Sequence, residues 1–271
     1  MIDDFPDRAF GSDDVVVLES SERIATITIN RPEKRNALSS EVLAKVPAAM
    51  RRAEHDDDID VIILTGADPA FTAGLDLHEL GSADSGLLDG SGAGGGDNEH
   101  DVRGPFPPLT KPLIGAINGV AVTGGLEYAL ACDFLVASEH AKFGDTHARV
   151  GVMPGWGLTV LLPQAIGVRR AREMSFTGNF LTAEEAHHHG LVNHVVPHAE
   201  LMPFTRQLAL DITGNQQDGV RQIRSTYASV TDDTAAWDIE TRDGRAWRRA
   251  RFDPELVAER REGIRERGKR Q

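Results

Sequence analysis

The feature that most constrains this chain is a unit that occurs twice. An apolar run ends in small residues, a glycine follows, and a helical pattern begins. In one copy Val61 to Thr65 leads through Gly66 into Ala67-Asp68-Pro69-Ala70-Phe71-Thr72-Ala73-Gly74-Leu75-Asp76-Leu77. In the other, Pro112 to Asn118 leads into Gly119-Val120-Ala121-Val122-Thr123-Gly124-Gly125-Leu126-Glu127, and a helical stretch runs on to Cys132-Asp133. Repeated strand–turn–helix units with apolar strands imply an α/β fold of layered sheets. Glycine lets the backbone approach a ligand closely and take positive φ without strain. The first N–H groups of a helix lack intrahelical partners and carry partial positive charge. Each turn therefore offers donors to a carbonyl oxygen that becomes negative during a reaction. Glu127 falls in the first helical turn after Gly125, which sets a carboxylate beside those donors. The same residues also suit a tight strand-to-helix corner with a surface Glu on the helix dipole, and this stretch alone leaves both readings open.

The remaining chain fits the same layering. Val15 to Leu18 and Ile24 to Ile29 read as a hairpin around Glu19 to Arg23. A polar loop, Asn30 to Leu38, carries Pro32 and the basic residues Arg31, Lys34 and Arg35. Ser39 and Ser40 offer N-caps to a helix through Val42, Leu43, Val46, Ala49 and Met50, which Pro47 is expected to kink or split. Further strands are expected at Leu113 to Ile117, Asp133 to Ser138 and Leu191 to Val196. Helices are expected from about Leu158 to Ile166, from Arg169 to Ser175, and from a capping box at Thr182 to Glu185 as far as Gly190. Beyond His198 only helix-forming, charge-rich sequence continues. The Gly/Ser/Asp-rich stretch from Gly81 to Gly104 has too little apolar surface to order itself and is expected to be a mobile loop, either a lid or a tolerated insertion.

Composition narrows the partners. With 29 basic and 42 acidic residues the net charge is −13, which argues against nucleic acid or an anionic membrane. A phosphate-bearing ligand would need local basic residues acting against that charge. The single cysteine, Cys132, excludes an intrachain disulfide and reads as packing. The acidic stretch from Met1 to Asp14 lacks a signal-peptide pattern, and no apolar run approaches the ~20 residues that span a bilayer. A soluble, cytoplasmic protein is the expectation. His187-His188-His189 does not suggest a metal site, because consecutive helical side chains point about 100° apart. Trp237 and Trp247 read as packing or subunit contact, and Trp156 as either core packing or a wall of a ligand pocket.

Six motifs then carry a specific resemblance. They are Asn30-Arg31-Pro32 through Asn36-Ala37-Leu38; Phe71-Thr72-Ala73-Gly74-Leu75-Asp76; Asn118-Gly119 through Gly124-Gly125-Leu126-Glu127; Ala141-Lys142-Phe143-Gly144; Gly151 through Pro154-Gly155; and Thr177-Gly178 through Gly190-Leu191-Val192. In this order and spacing the chain, from Val15 to Gln271, resembles the enoyl-CoA hydratase/isomerase (crotonase) family. The resemblance implies a crotonase-like spiral of ββα units over residues 1–200 and a helical C-terminal oligomerisation region over 201–271. It implies assembly as a homotrimer or dimer of trimers, and an acyl-CoA thioester as substrate. Coenzyme A would arrive as part of that substrate, with no separate cofactor and no metal. By the same resemblance, the N–H groups of Leu75 and Gly124 form an oxyanion hole, in which one donor is typically worth about 3–4 kcal/mol. Arg35, Ala37, Ala73 and Asp76 lie where members hold coenzyme A, and Lys34 or Arg35 can meet a phosphate.

One departure matters. Family hydratases activate water with two glutamates. The first corresponds to Glu127, but the position three residues after Gly144 holds His147. Three chemical readings follow. His147 substitutes as acid/base, since an ordinary imidazole pKa near ~6.5 suits proton transfer. Alternatively Glu127 works alone, giving isomerisation or slow hydration. Or the chain runs another thioester reaction, as a lyase or hydrolase, through the same enolate. A structural role for His147, bonded to Asp145 or the backbone, also stays open, with Asp145 a weaker candidate for the missing carboxylate. The leading expectation is an enoyl-CoA hydratase with Glu127 and His147 as catalytic residues. The alternative from another class is an acyl-CoA-binding paralogue that has lost the chemistry.

Overall fold

The computed structural model describes residues 10–82 and 103–271, so all but the ends of the Gly81 to Gly104 stretch lie outside the described residues. The chain opens with an antiparallel hairpin, β1 (Val16–Ser21) and β2 (Ile24–Ile29). Glu22 and Arg23 both take positive φ between them (53° and 64°), the geometry of a two-residue hairpin turn. The turn is thus tighter than the five-residue connection expected from sequence.

Helix α1 (Ser40–His55) is capped by Ser39, whose Oγ accepts the Val42 N–H at 3.3 Å. It runs unbroken through Pro47, so the expected split does not occur. An interior proline costs about 3 kcal/mol. The buried Val42, Leu43, Val46 and Met50 each return roughly 1.5–3 kcal/mol, which outweighs it.

Three strand pairs follow, each ending in a helix. They are β3 (Val61–Gly66) and β4 (Ala70–Thr72) with α2 (Leu77–Leu80); β5 (Leu113–Ile117) and β6 (Val120–Val122) with α3 (Gly124–Leu130); and β7 (Phe134–Ser138) and β8 (Lys142–Gly144) with α4 (His147–Val150). The chain continues through α5 (Leu158–Ile166), α6 (Val168–Thr177), β9 (Phe180–Thr182), α7 (Ala183–His188) and β10 (His194–Val196). It ends in α8 (Leu201–Thr213), α9 (Gln217–Thr231), α10 (Thr234–Arg251) and α11 (Pro254–Lys269).

In each ββα unit the first strand enters one sheet and the second enters another. The larger sheet has the order β1-β2-β3-β5-β7-β10, and the smaller β4-β6-β8-β9. The larger sheet is parallel from β2 onward, which explains its unbroken apolar runs: both faces are covered. Ile62 and Leu64 join the main core with α1, while Ile63, Ile114 and Val136 pack on Leu201 and Ala209 of α8. Helix α8 therefore covers one face of the large sheet. Helix α11 folds back instead, burying Val257 against Leu80, Val150 and Val152. Among the described residues no helix is long and apolar enough to cross a membrane.

Candidate functional site

Strands β4, β6 and β8 are parallel neighbours, with Thr72 opposite Ala121 and Val122 opposite Gly144. Their carboxyl ends therefore share one edge, where ligands commonly bind in α/β sheets. The chain leaves these ends as Ala73-Gly74-Leu75, Thr123-Gly124 and Asp145-Thr146-His147. Gly74 has φ +79°, and a Cβ there would lie 2.7 Å from the Val122 oxygen and 3.5 Å from the Gly124 nitrogen. The two glycine turns thus touch. Leu38 pairs alongside the first, its N–H donating to the Gly74 oxygen (2.8 Å) and its oxygen accepting from Asp76 N–H (3.0 Å). Successive N–H groups on an extended chain face opposite ways, so that of Leu75 points away from Leu38. Neither the Leu75 nor the Gly124 N–H has an acceptor among the described residues.

Thr123 takes φ 56° and ψ −120°, a costly conformation for a β-branched residue. Its N–H donates to the Gly144 oxygen at 3.0 Å, and its hydroxyl meets that of Thr146. These contacts hold the turn from which the Gly124 N–H projects.

Beside the turns stands a buried chain of titratable groups: Glu127 (2 % exposed), His147 (5 %) and Asp145 (2 %). Glu127 Oε1 accepts the Gly155 and Trp156 N–H groups at 3.1 and 2.7 Å, while its Oε2 lies 3.3 Å from His147 Nε2. His147 Nδ1 lies 2.6 Å from Asp145 Oδ1, which also accepts the His147 backbone N–H at 3.0 Å. With Nδ1 donating to Asp145, Nε2 is the nitrogen able to exchange a proton toward Glu127. Burial alone would lower the His147 pKa, but the charges and hydrogen bonds of Glu127 and Asp145 outweigh it and raise it to about 10. The imidazole is then cationic at neutral pH. Burial would raise the Asp145 carboxyl, yet hydrogen bonding and attraction to His147 hold it below its usual range.

A cavity of about 450 Å³ opens next to this edge. Arg35, Ala37, Ala73, Leu75 and Asp76 all line it, as does Lys34. Asp76 contributes differently from a ligand contact. Its carboxylate accepts the His78 N–H (3.0 Å) and pairs with Arg31 (3.1 Å), whose guanidinium also donates to the Ala37 oxygen at 2.6 Å. Burial would raise the Asp76 carboxyl, and these partners hold it low. Arg31 and Asp76 therefore brace the loop, while Lys34 and Arg35 remain exposed at the cavity. The far wall is α11, which adds Arg265 and Lys269. The site thus gathers cations locally against the net charge of −13.

The cavity reaches Thr123 and Thr146, but Glu127 and His147 are not among its lining residues. The Trp156 ring lies against both neighbours of this path. A Cβ on Gly124 would be 3.0 Å from its Cζ3, and its centroid is 5.7 Å from that of Tyr128. Cys132 turns its Sγ to the Tyr128 oxygen (3.4 Å), and burial pushes its thiol pKa up. Sequence reasoning missed two parts of the site: the Gly155 and Trp156 amides that seat Glu127, and the α11 wall. The contact of His147 with Asp145 was among its open readings, and it has a local signal, an Asp two residues before the N–H that it accepts.

Known proteins match this architecture. Residues 19–247 match the family model described as enoyl-CoA hydratase/isomerase. The chain is similar to a probable peroxisomal enoyl-CoA hydratase 1 of Arabidopsis thaliana, 41 % identical over 219 residues, covering 81 % of this chain and 80 % of the relative. Its fold is similar to the crystal structure of an enoyl-CoA hydratase from Mycobacterium tuberculosis H37Rv, with TM-score 0.78 and 46 % identity over 88 % of this chain and 100 % of the other. It is also similar to a monofunctional enoyl-CoA isomerase from M. smegmatis, with TM-score 0.66 and 31 % identity over 81 % of this chain and 94 % of the other.

Proposed function

The chain belongs to the enoyl-CoA hydratase/isomerase family, and on that premise we propose that it catalyses the reversible hydration of 2-enoyl-CoA thioesters. The observation that carries the reading is the buried pair of Glu127 Oε2 and His147 Nε2, 3.3 Å apart, beside two adjoining turns with unspent N–H groups. The Leu75 and Gly124 N–H groups hold the thioester oxygen and stabilise the charge it gains as an enolate. Glu127 takes a proton from water as the water oxygen bonds to the β-carbon. The imidazolium of His147 gives its Nε2 proton to the α-carbon, and the proton on Glu127 then returns to Nε2. One water is added and both side chains are restored. Arg35 and Lys34 attract the coenzyme A phosphates, while Ala37, Ala73 and Asp76 shape the wall along its pantetheine arm. No cofactor or metal is required. Assembly as a homotrimer or dimer of trimers and a cytoplasmic location belong to the same proposal.

A second reading rests on the cation at His147, where family hydratases carry a carboxylic acid. There Glu127 alone shuttles the proton and the reaction is enoyl-CoA isomerisation, or another lyase or hydrolase step through the same enolate. Loss of enoyl-thioester absorbance with crotonyl-CoA and longer 2-enoyl-CoAs tests the first reading. Turnover that survives in Glu127→Gln removes Glu127 from the mechanism. A large gain in hydration on His147→Glu favours the second reading.

A further inference from the structure

Behind the site lies another buried carboxylate, which the mechanism above does not use. Glu240, on α10, is 6 % exposed. One oxygen accepts the Gly157 N–H at 2.6 Å, and the other accepts the Thr159 N–H at 2.7 Å together with the Thr159 hydroxyl. Gly157 is the N-cap of α5 and has no side chain to satisfy the first turn. That end therefore takes its acceptor from a helix far along the chain. Immediately upstream, the Gly155 and Trp156 N–H groups go to Glu127. The segment from Gly155 to Thr159 is thus held between two carboxylates, one from α3 and one from α10.

The rest of that α10 face follows the same segment. Trp237, one turn before Glu240, lies on Gly157, where φ is +99° and a Cβ would come within 2.1 Å of its Cη2. Gly244, one turn after, approaches Pro154, whose oxygen would lie 3.1 Å from a Cβ. Burial and the nearby charge of Glu127 push the Glu240 carboxyl above its usual range.

We propose that Glu240 is a positioning residue of the acyl-CoA site. By fixing Gly157 and Thr159 it sets where the Gly155 and Trp156 amides hold Glu127. The inference rests on the hydratase reading of that site. Glu240→Gln turns an amide N–H toward Gly157 or Thr159, which are donors themselves. With crotonyl-CoA its kcat is expected to fall roughly 10- to 100-fold while KM stays within about 2-fold, as for a small misplacement of a reacting group. Thr159→Val removes only the hydroxyl donor and is expected to lower kcat roughly 2- to 5-fold with the same split.

The double variant Glu127→Gln/Glu240→Gln separates positioning from general loosening. If Glu240 acts through Glu127, adding Glu240→Gln to Glu127→Gln lowers the residual rate less than about 2-fold. A wild-type kcat in Glu240→Gln, or its full loss repeated in the Glu127→Gln background, overturns the proposal. Should Glu240→Gln not fold, Thr159→Val decides: a lowered kcat at constant KM supports the proposal and a wild-type kcat overturns it. A wild-type enzyme that hydrates no enoyl-CoA defeats the hydratase reading and this one together. Wild-type hydration with unchanged Glu240→Gln and Thr159→Val kcat defeats this one alone.

Discussion

The two sheets of this molecule divide its work. The larger is built from strands of five or six residues, apart from the three-residue edge strand β10, and its central strands β3 and β5 are buried on both faces. The smaller is built from strands of three residues. Three residues bury little area, yet every group assigned to the oxyanion and proton-transfer steps follows a carboxyl end of β4, β6 or β8. The larger sheet is a scaffold in which side chains supply stability. In the smaller one, on the proposed reading, backbone placement supplies function. Substitutions should therefore separate cleanly: changes at the small sheet alter turnover more than stability, and changes in the large sheet do the reverse.

Glu127→Gln is the strongest way to break this division. It is expected to lower hydration roughly 10²- to 10⁴-fold, the usual contribution of a positioned acid/base. Gly74→Ala comes next. Its Cβ would press on the Val122 oxygen at 2.7 Å from a backbone at φ +79°. Displacing one turn from the other is expected to cost roughly 10²- to 10³-fold in kcat, as for loss of one oxyanion donor. Leu64→Ala probes the other side. Leu64 is fully buried in the main core. Its truncation is expected to destabilise the fold by about 2–5 kcal/mol in denaturant titration, while kcat per folded molecule is retained.

A pH profile sharpens the comparison further. The folded His147 pKa of about 10 stands above the ordinary 6.5. Between those values the folded state holds a proton that the unfolded chain has lost. The stabilisation from the Asp145–His147–Glu127 chain is therefore complete below 6.5 and is lost as the pH rises through about 10. Hydration is expected to fall along the same limb, and Asp145→Asn should move that limb to lower pH by removing one of the two carboxylates. The smallest effect belongs to Arg35→Ala. As an exposed charge at the cavity it is expected to raise KM for acyl-CoA only roughly 2- to 5-fold, and less at high salt.

What could be read beforehand follows from the same division. The strand at Leu113–Ile117 and the helix at Leu158–Ile166 appear with the expected limits, because each is an apolar run bounded by turn residues. Strands β4, β6, β8 and β9 are too short to show a period and were not expected as strands. Pro47 misled because local propensity was overruled by the buried face of α1.

The linear order of residues by itself determined the apolar strands, the two glycine turns, the acidic side chain at Glu127 and its departure from two glutamates at His147, since each of these is local. Tertiary structure alone decided that the turn at Gly74 touches the turn at Gly124, and that His147 meets Glu127 through the pairing of β6 with β8. It alone assigned Asp76 to Arg31 and Glu240 to the first turn of α5. Backbone amides look the same at every position, so which of them remain unpaired, and what they face, is settled only when distant strands choose their neighbours.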